Sequence, residues 1–116
     1  GSETPTPTPT HPSPALFFPA ENGLAPARTF QLQWVSVGVL QFDEAYFVEI
    51  QDVTAGTTYN GVTSSTSYML PDSLVPSDGQ AHTIRWRVAV AARTSDGAYV
   101  IVGAPGNTRT FTWQSR

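Results

Sequence analysis

The chain contains no cysteine, little charge and no apolar run longer than a strand. Without cysteine there is neither a disulfide framework nor a thiolate nucleophile, and a metal site could draw on at most two histidines, His11 and His82. Charged residues make up 13% of the chain, the net charge is −3, and the basic residues form no run. Nucleic-acid binding calls for a basic stripe that neutralises phosphates, so that class is disfavoured. A transmembrane helix needs about 20 apolar residues in succession, and no segment approaches that length. Glycine-rich phosphate loops, a serine at a strand-to-helix elbow and an integrin-type tripeptide are also missing. A glycosidase cleft with paired carboxylates would need more chain than this. Neither catalysis nor a bound cofactor is expected.

What is present divides in two. Residues 1–14 open with Gly1-Ser2, which has the look of a cloning remnant on an excised fragment, and continue as ETPTPTPTHPSP. Proline fixes φ, so this stretch should be an extended, polyproline-like spacer rising roughly 3.1 Å per residue. Its threonines are candidate acceptors for O-glycosylation, and such spacers commonly separate modules of secreted or surface proteins. Residues 15–116 carry the apolar residues and are the right size for one small β-sandwich.

Period-two alternation broken by turn residues places the strands. Residues 16–19 form a first strand, confined to an edge by Pro19 and Pro26. Residues 29–35 put Phe30, Leu32 and Trp34 on one face, and residues 45–53 do the same with Tyr46, Val48 and Ile50. Residues 57–62 form a short edge strand near an Asn60-Gly61 turn, and residues 67–70 pair Tyr68 with Leu70 before Pro71 ends the run. The strongest alternation is in residues 82–93. There Ile84, Trp86, Val88 and Val90 share the inward face, and Arg85, Arg87, Ala89 and Ala91 the outward one. Asp96-Gly97 supplies a tight hairpin. Residues 98–102 return, Gly103-Ala104-Pro105-Gly106 interrupts, and residues 108–113 resume with Phe111 and Trp113 on one side. The expected fold is all-β: a two-sheet antiparallel β-sandwich with no helix.

The order of these landmarks resembles the fibronectin type III superfamily, within the wider immunoglobulin-like class. Trp34 in FQLQWV is similar to the family's second-strand tryptophan, Tyr46-Phe47-Val48-Glu49-Ile50 to its third strand, and Ser67-Tyr68-Met69-Leu70 to the signal before the long sixth strand. Ile84-Arg85-Trp86-Arg87-Val88-Ala89-Val90 echoes the sixth strand itself. Ile84 stands where the family usually has a tyrosine, Trp86 is bulky for its place, and the last hairpin is long. The resemblance implies adhesion, recognition or spacing, and no chemistry. It also implies a bacterial setting, because similar Pro/Thr-linked modules occur on secreted enzymes and membrane-anchored receptors or kinases.

Candidate sites are few. His82 near Asp78 suggests a metal pair, but a solvated histidine beside a strand is the commoner arrangement. Asp43-Glu44 and Asp72 could seat calcium, yet turn-forming acids account for them as well. Sugar binding would need exposed stacking aromatics. Trp34, Trp86 and Trp113 all have core parity, which leaves Phe42, Phe47, Tyr59 and Tyr99 scattered. The topology that the resemblance implies sets residues 45–53 beside 82–93, with Phe47 and Glu49 outward next to Arg85 and Arg87. These four are the candidate partner-binding face. The expected role is a monomeric, non-catalytic extracellular or cell-surface module that recognises protein or spaces neighbouring domains of its parent chain. A carbohydrate-binding module and a ligand-sensing ectodomain of a membrane receptor are the rivals.

Overall fold

The computed structural model describes residues 11–104 and 106–116. Nine strands follow in order: β1 (Leu16–Phe18), β2 (Gly23–Ala25), β3 (Gln31–Trp34), β4 (Glu44–Asp52), β5 (Thr57–Thr63), β6 (Ser67–Met69), β7 (His82–Arg93), β8 (Tyr99–Ile101) and β9 (Thr108–Trp113). One turn of 3₁₀ helix, Asp72–Leu74, precedes β7. The strands form a smaller sheet, β1-β3-β6, and a larger one, β2-β9-β7-β4-β5, with β8 also paired to β7. Pairing is antiparallel except between β2 and β9. The architecture is all-β, two mostly antiparallel sheets arranged as a sandwich.

The centre of the larger sheet is the β4–β7 ladder, running from Glu44 opposite Ala92 to Asp52 opposite Ile84. Side chains alternate across a strand, so this register sends Tyr46, Val48 and Ile50 to the same side as Val90, Val88 and Trp86. Leu32 and Leu70 from the smaller sheet and Phe111 and Trp113 from β9 meet them in one apolar cluster. All of these but Ile50 are at most 1% exposed, and Ile50 is 4% exposed. Burying each such side chain contributes on the order of 1.5–3 kcal/mol, against the entropy of ordering the chain. Phe30 is only partly buried, but its ring meets Phe18, Phe111 and Trp113 edge-on at 5.9, 5.5 and 5.4 Å between centroids. Trp113 donates its Nε1–H to the carbonyls of Pro26 and Arg28. The indole nitrogens of Trp34 and Trp86 have no partner among the described residues, so packing alone holds those two rings.

Several expectations change. Asn60-Gly61 is no turn; both residues lie inside β5, paired to Glu49 and Val48. Glycine is there for space, because a Cβ at position 61 would sit 2.4 Å from Cζ of Tyr68. The Tyr68 hydroxyl reaches that of Tyr59 at 2.9 Å, and β5 thereby touches β6 of the other sheet. Ala89 and Ala91 have outward parity but are buried, so the outer face meets water only over part of its length. β2 escaped the pattern altogether: three residues are too short to show alternation, and its ladder partner β9 lies far along the chain. The Asp96-Gly97 hairpin does form, with Gly97 at φ +88° and its N–H bonded to Thr94 O at 3.0 Å.

The expected spacer falls outside the described residues up to position 10. Beyond that it lies on the sandwich. The His11 carbonyl accepts from Ala104 N–H at 2.8 Å, Ser13 Oγ accepts from Asn107 N–H at 3.1 Å, and Pro14 is fully buried.

Candidate functional site

The outward face of the β4–β7 ladder is the first of two places where side chains converge. Glu49 stands directly opposite Arg87, and the guanidinium binds the carboxylate through both arms, Nε to Oε1 at 3.2 Å and Nη2 to Oε2 at 3.3 Å. Arg85 lies two residues away on the same face, opposite Gln51. Glu49, Gln51, Arg85 and Arg87 border a polar depression of about 250 Å³ with Thr108. On the other side of the ion pair, Phe47, Ala89, Ile101 and Gly106 join Glu49 and Arg87 around a second hollow of about 200 Å³, this one mainly apolar. The four sequence-derived residues therefore share one surface, with Glu49 and Arg87 bonded and Phe47 and Arg85 flanking them. Ile101 was missed, because β8 reads as an ordinary apolar return strand.

The second place lies at one end of the ladder, where β4 ends and β7 begins. His82 is not the solvated histidine expected there; it is only 7% exposed. Its Nδ1 lies 2.6 Å from Asp52 Oδ2 and its Nε2 lies 2.8 Å from Asp78 Oδ2. Asp52 is fixed in turn, since its Oδ1 accepts from Ala55 N–H at 2.8 Å within the β4–β5 turn. The Oδ1 of Asp78 accepts from Gln80 N–H at 3.0 Å. These two hydrogen bonds, first to Asp52 and then to Asp78, raise the pKa of His82 and outweigh the opposing cost of burial. His82 in return lowers that of Asp78, with help from the Gln80 amide. Asp52, Asp78 and His82 form one wall of a cleft of about 340 Å³. Its floor is Ile50, Leu74, Ile84 and Trp113, and Thr57, Thr58, Tyr59, Ser73 and Ser77 carry hydroxyls around it. Asp78 was legible as a neighbour of His82 four residues on. Asp52 was not, because thirty residues separate the pair and only the ladder joins them.

Two of the other candidate acids, Glu44 and Asp72, have partners of their own. Glu44 accepts from Gln41 N–H at 2.7 Å and from His11 Nε2 at 2.9 Å. Asp72 pairs with Arg116, whose guanidinium holds its carboxyl below the usual carboxylate range. No group of three or more candidate metal ligands occurs among the described residues. Trp34, Trp86 and Trp113 are at most 4% exposed, whereas the most exposed aromatics are Phe42 and Phe17. Phe17 was not singled out in the sequence. No helix among the described residues is long and apolar enough to cross a membrane. Neither the protein-family models nor the curated proteins give a match to this sequence.

Proposed function

We propose that the chain is a fibronectin type III-like, non-catalytic module that recognises protein or spaces domains in a larger secreted or membrane-anchored bacterial protein. The family reading is supported by the strand order, with β1-β3-β6 facing β9-β7-β4-β5 and the Trp34 strand central in the smaller sheet. The Thr/Pro segment before residue 11 supports an extracellular or cell-surface setting. The observation that carries recognition is the outer β4–β7 surface. There an arginine in an exposed ion pair lies between an apolar hollow with an aromatic wall and a polar hollow with a second arginine. Aromatic and arginine side chains are the ones enriched at binding hot spots. A sugar-binding reading draws no support from the tryptophans, whose stacking faces are spent inside the core.

The test is capture from the native extract of the parent organism, comparing the wild-type chain with a Phe47→Ser, Arg87→Ser double variant. Recognition through this face predicts lost capture by a chain that still folds, its melt lowered only by the small loss expected of exposed side chains. Capture that survives both substitutions would rule this face out as the recognition surface and leave it a solubility role.

A further inference from the structure

We propose that His82, while it carries its second proton, is a pH-operated clasp that ties the β4–β5 turn to the loop leading into β7, and that loss of the proton opens the adjoining cleft. Two carboxylate oxygens face the two ring nitrogens of one imidazole, at 2.6 and 2.8 Å. A carboxylate only accepts, and a neutral imidazole has a single N–H, so both bonds can exist together only with an imidazolium. When the proton leaves, one nitrogen presents a lone pair to a carboxylate, and attraction becomes repulsion.

The two partners are not equally free to move. Each carboxylate also accepts from a nearby amide, Asp52 from Ala55 and Asp78 from Gln80, but the Asp52 side chain is 17% exposed at the end of β4, whereas that of Asp78 is 54% exposed and on a loop. Asp78 is therefore the partner that leaves, and residues 75–78 line the cleft it would uncover. Other titratable and charged groups around the clasp do not take over its proton. Tyr59, from β5, lines the cleft with its hydroxyl on Tyr68, whose own pKa is pushed up to about 12 by burial and by that bond. Asp72 of the 3₁₀ turn is neutralised by Arg116. Two neutral tethers tie the loop to the chain's end: Gly79 N–H on Ser115 Oγ at 2.8 Å, which loosens with its neighbour Asp78, and Arg116 N–H on Pro76 O at 2.9 Å, which holds. Opening is therefore local, with the loop loosening while the sandwich stays folded.

The direction with pH follows. The pKa of His82 is raised in the folded chain, so its contribution is complete below the ordinary histidine range and is lost as pH rises through the raised value. That of Asp78 is lowered, so its contribution is lost only in acid, as pH falls through the lowered value. The clasp is closed between these limits and opens on the alkaline side.

This inference uses none of the residues of the outer face, so either can fail without the other. The experiment is a titration of the ¹⁵N-labelled chain from pH 5 to 9, following the His82 ring nitrogens and the exchange of the Gly79 and Gln80 amides. Both ring nitrogens should report imidazolium at pH 6. As the ring titrates, the two amides should lose about tenfold in protection beyond intrinsic base catalysis, while the Gly97 amide in the far hairpin does not follow. In Asp78→Asn the ring should titrate at lower pH, and the loop amides should no longer track it. A single neutral tautomer at pH 6 would overturn the proposal. So would loop amides that ignore the titration, or an Asp78→Asn chain that titrates like the wild type.

Discussion

The two faces of the β4–β7 ladder share one backbone and one register, yet they are built on different energies. Inward, Tyr46, Val48, Ile50, Trp86, Val88 and Val90 are withdrawn almost wholly from water. Outward, at neighbouring positions of the same two strands, the best-defined interaction is a single ion pair whose side chains are 50% and 34% exposed. Alternation assigns a side chain to a face; the depth of burial decides what that assignment is worth.

The hardest test of this contrast is Trp86→Ala against Arg87→Ala, adjacent residues on opposite faces. Truncating Trp86 should destabilise by about 3–5 kcal/mol, because it removes an entire buried ring and leaves a cavity. For a domain of this size that is a large share of the total. Arg87→Ala should cost within about 1 kcal/mol, the range of an exposed pair. Urea denaturation at constant pH measures both, and equal losses would erase the distinction between the faces.

A smaller effect is expected at the edge of the sheet. Gly61→Ala would push a methyl into the Tyr68 ring and part the two tyrosine hydroxyls. The ring can shift because it is only partly buried, so a cost of about 1–3 kcal/mol is expected, the usual range for overpacking. A wild-type melt for Gly61→Ala would mean that the β5–β6 contact is loose and that the inward–outward contrast does not reach the edge strand.

How much of this was legible in the sequence varies with length and locality. The bounds of β7 match the residues 82–93 read from alternation, because twelve residues of unbroken period leave a single register. β4 is displaced by one residue at each end, and its inward set is unchanged. Position 61 was misread because Asn-Gly is a strong hairpin signal, and only the Tyr68 ring, brought over from the other sheet, explains the glycine within a strand. The burial of Leu16, Ala25 and Val75 depends on what covers short, irregular segments, and local pattern carries no such information. At the candidate sites, the Glu49–Arg87 pair was readable once the two strands were set side by side. The Asp52–His82–Asp78 cluster was only half readable, since one partner is local and the other arrives through the fold.

The smallest effect separates the two uses of the outer face. A double-mutant cycle of Glu49→Ala and Arg87→Ala isolates the coupling between two side chains that are directly opposed and bonded through both arms. Charged pairs opposed across a sheet are worth roughly 0.2–1 kcal/mol, and water screens this one on its open side. The single Arg87 substitution should cost more than the coupling, because its stem also walls the hollow beside Phe47 and Ile101. Raising the salt concentration should shrink the coupling while leaving that packing contribution alone. A coupling near zero at low salt would show that the pair is held by geometry without stabilising the fold. The outward arginines would then be better accounted for by a partner than by stability. A coupling at the upper end of the range, with all of the Arg87 loss recovered in the cycle, would assign the pair to the fold and weaken the case for a recognition surface.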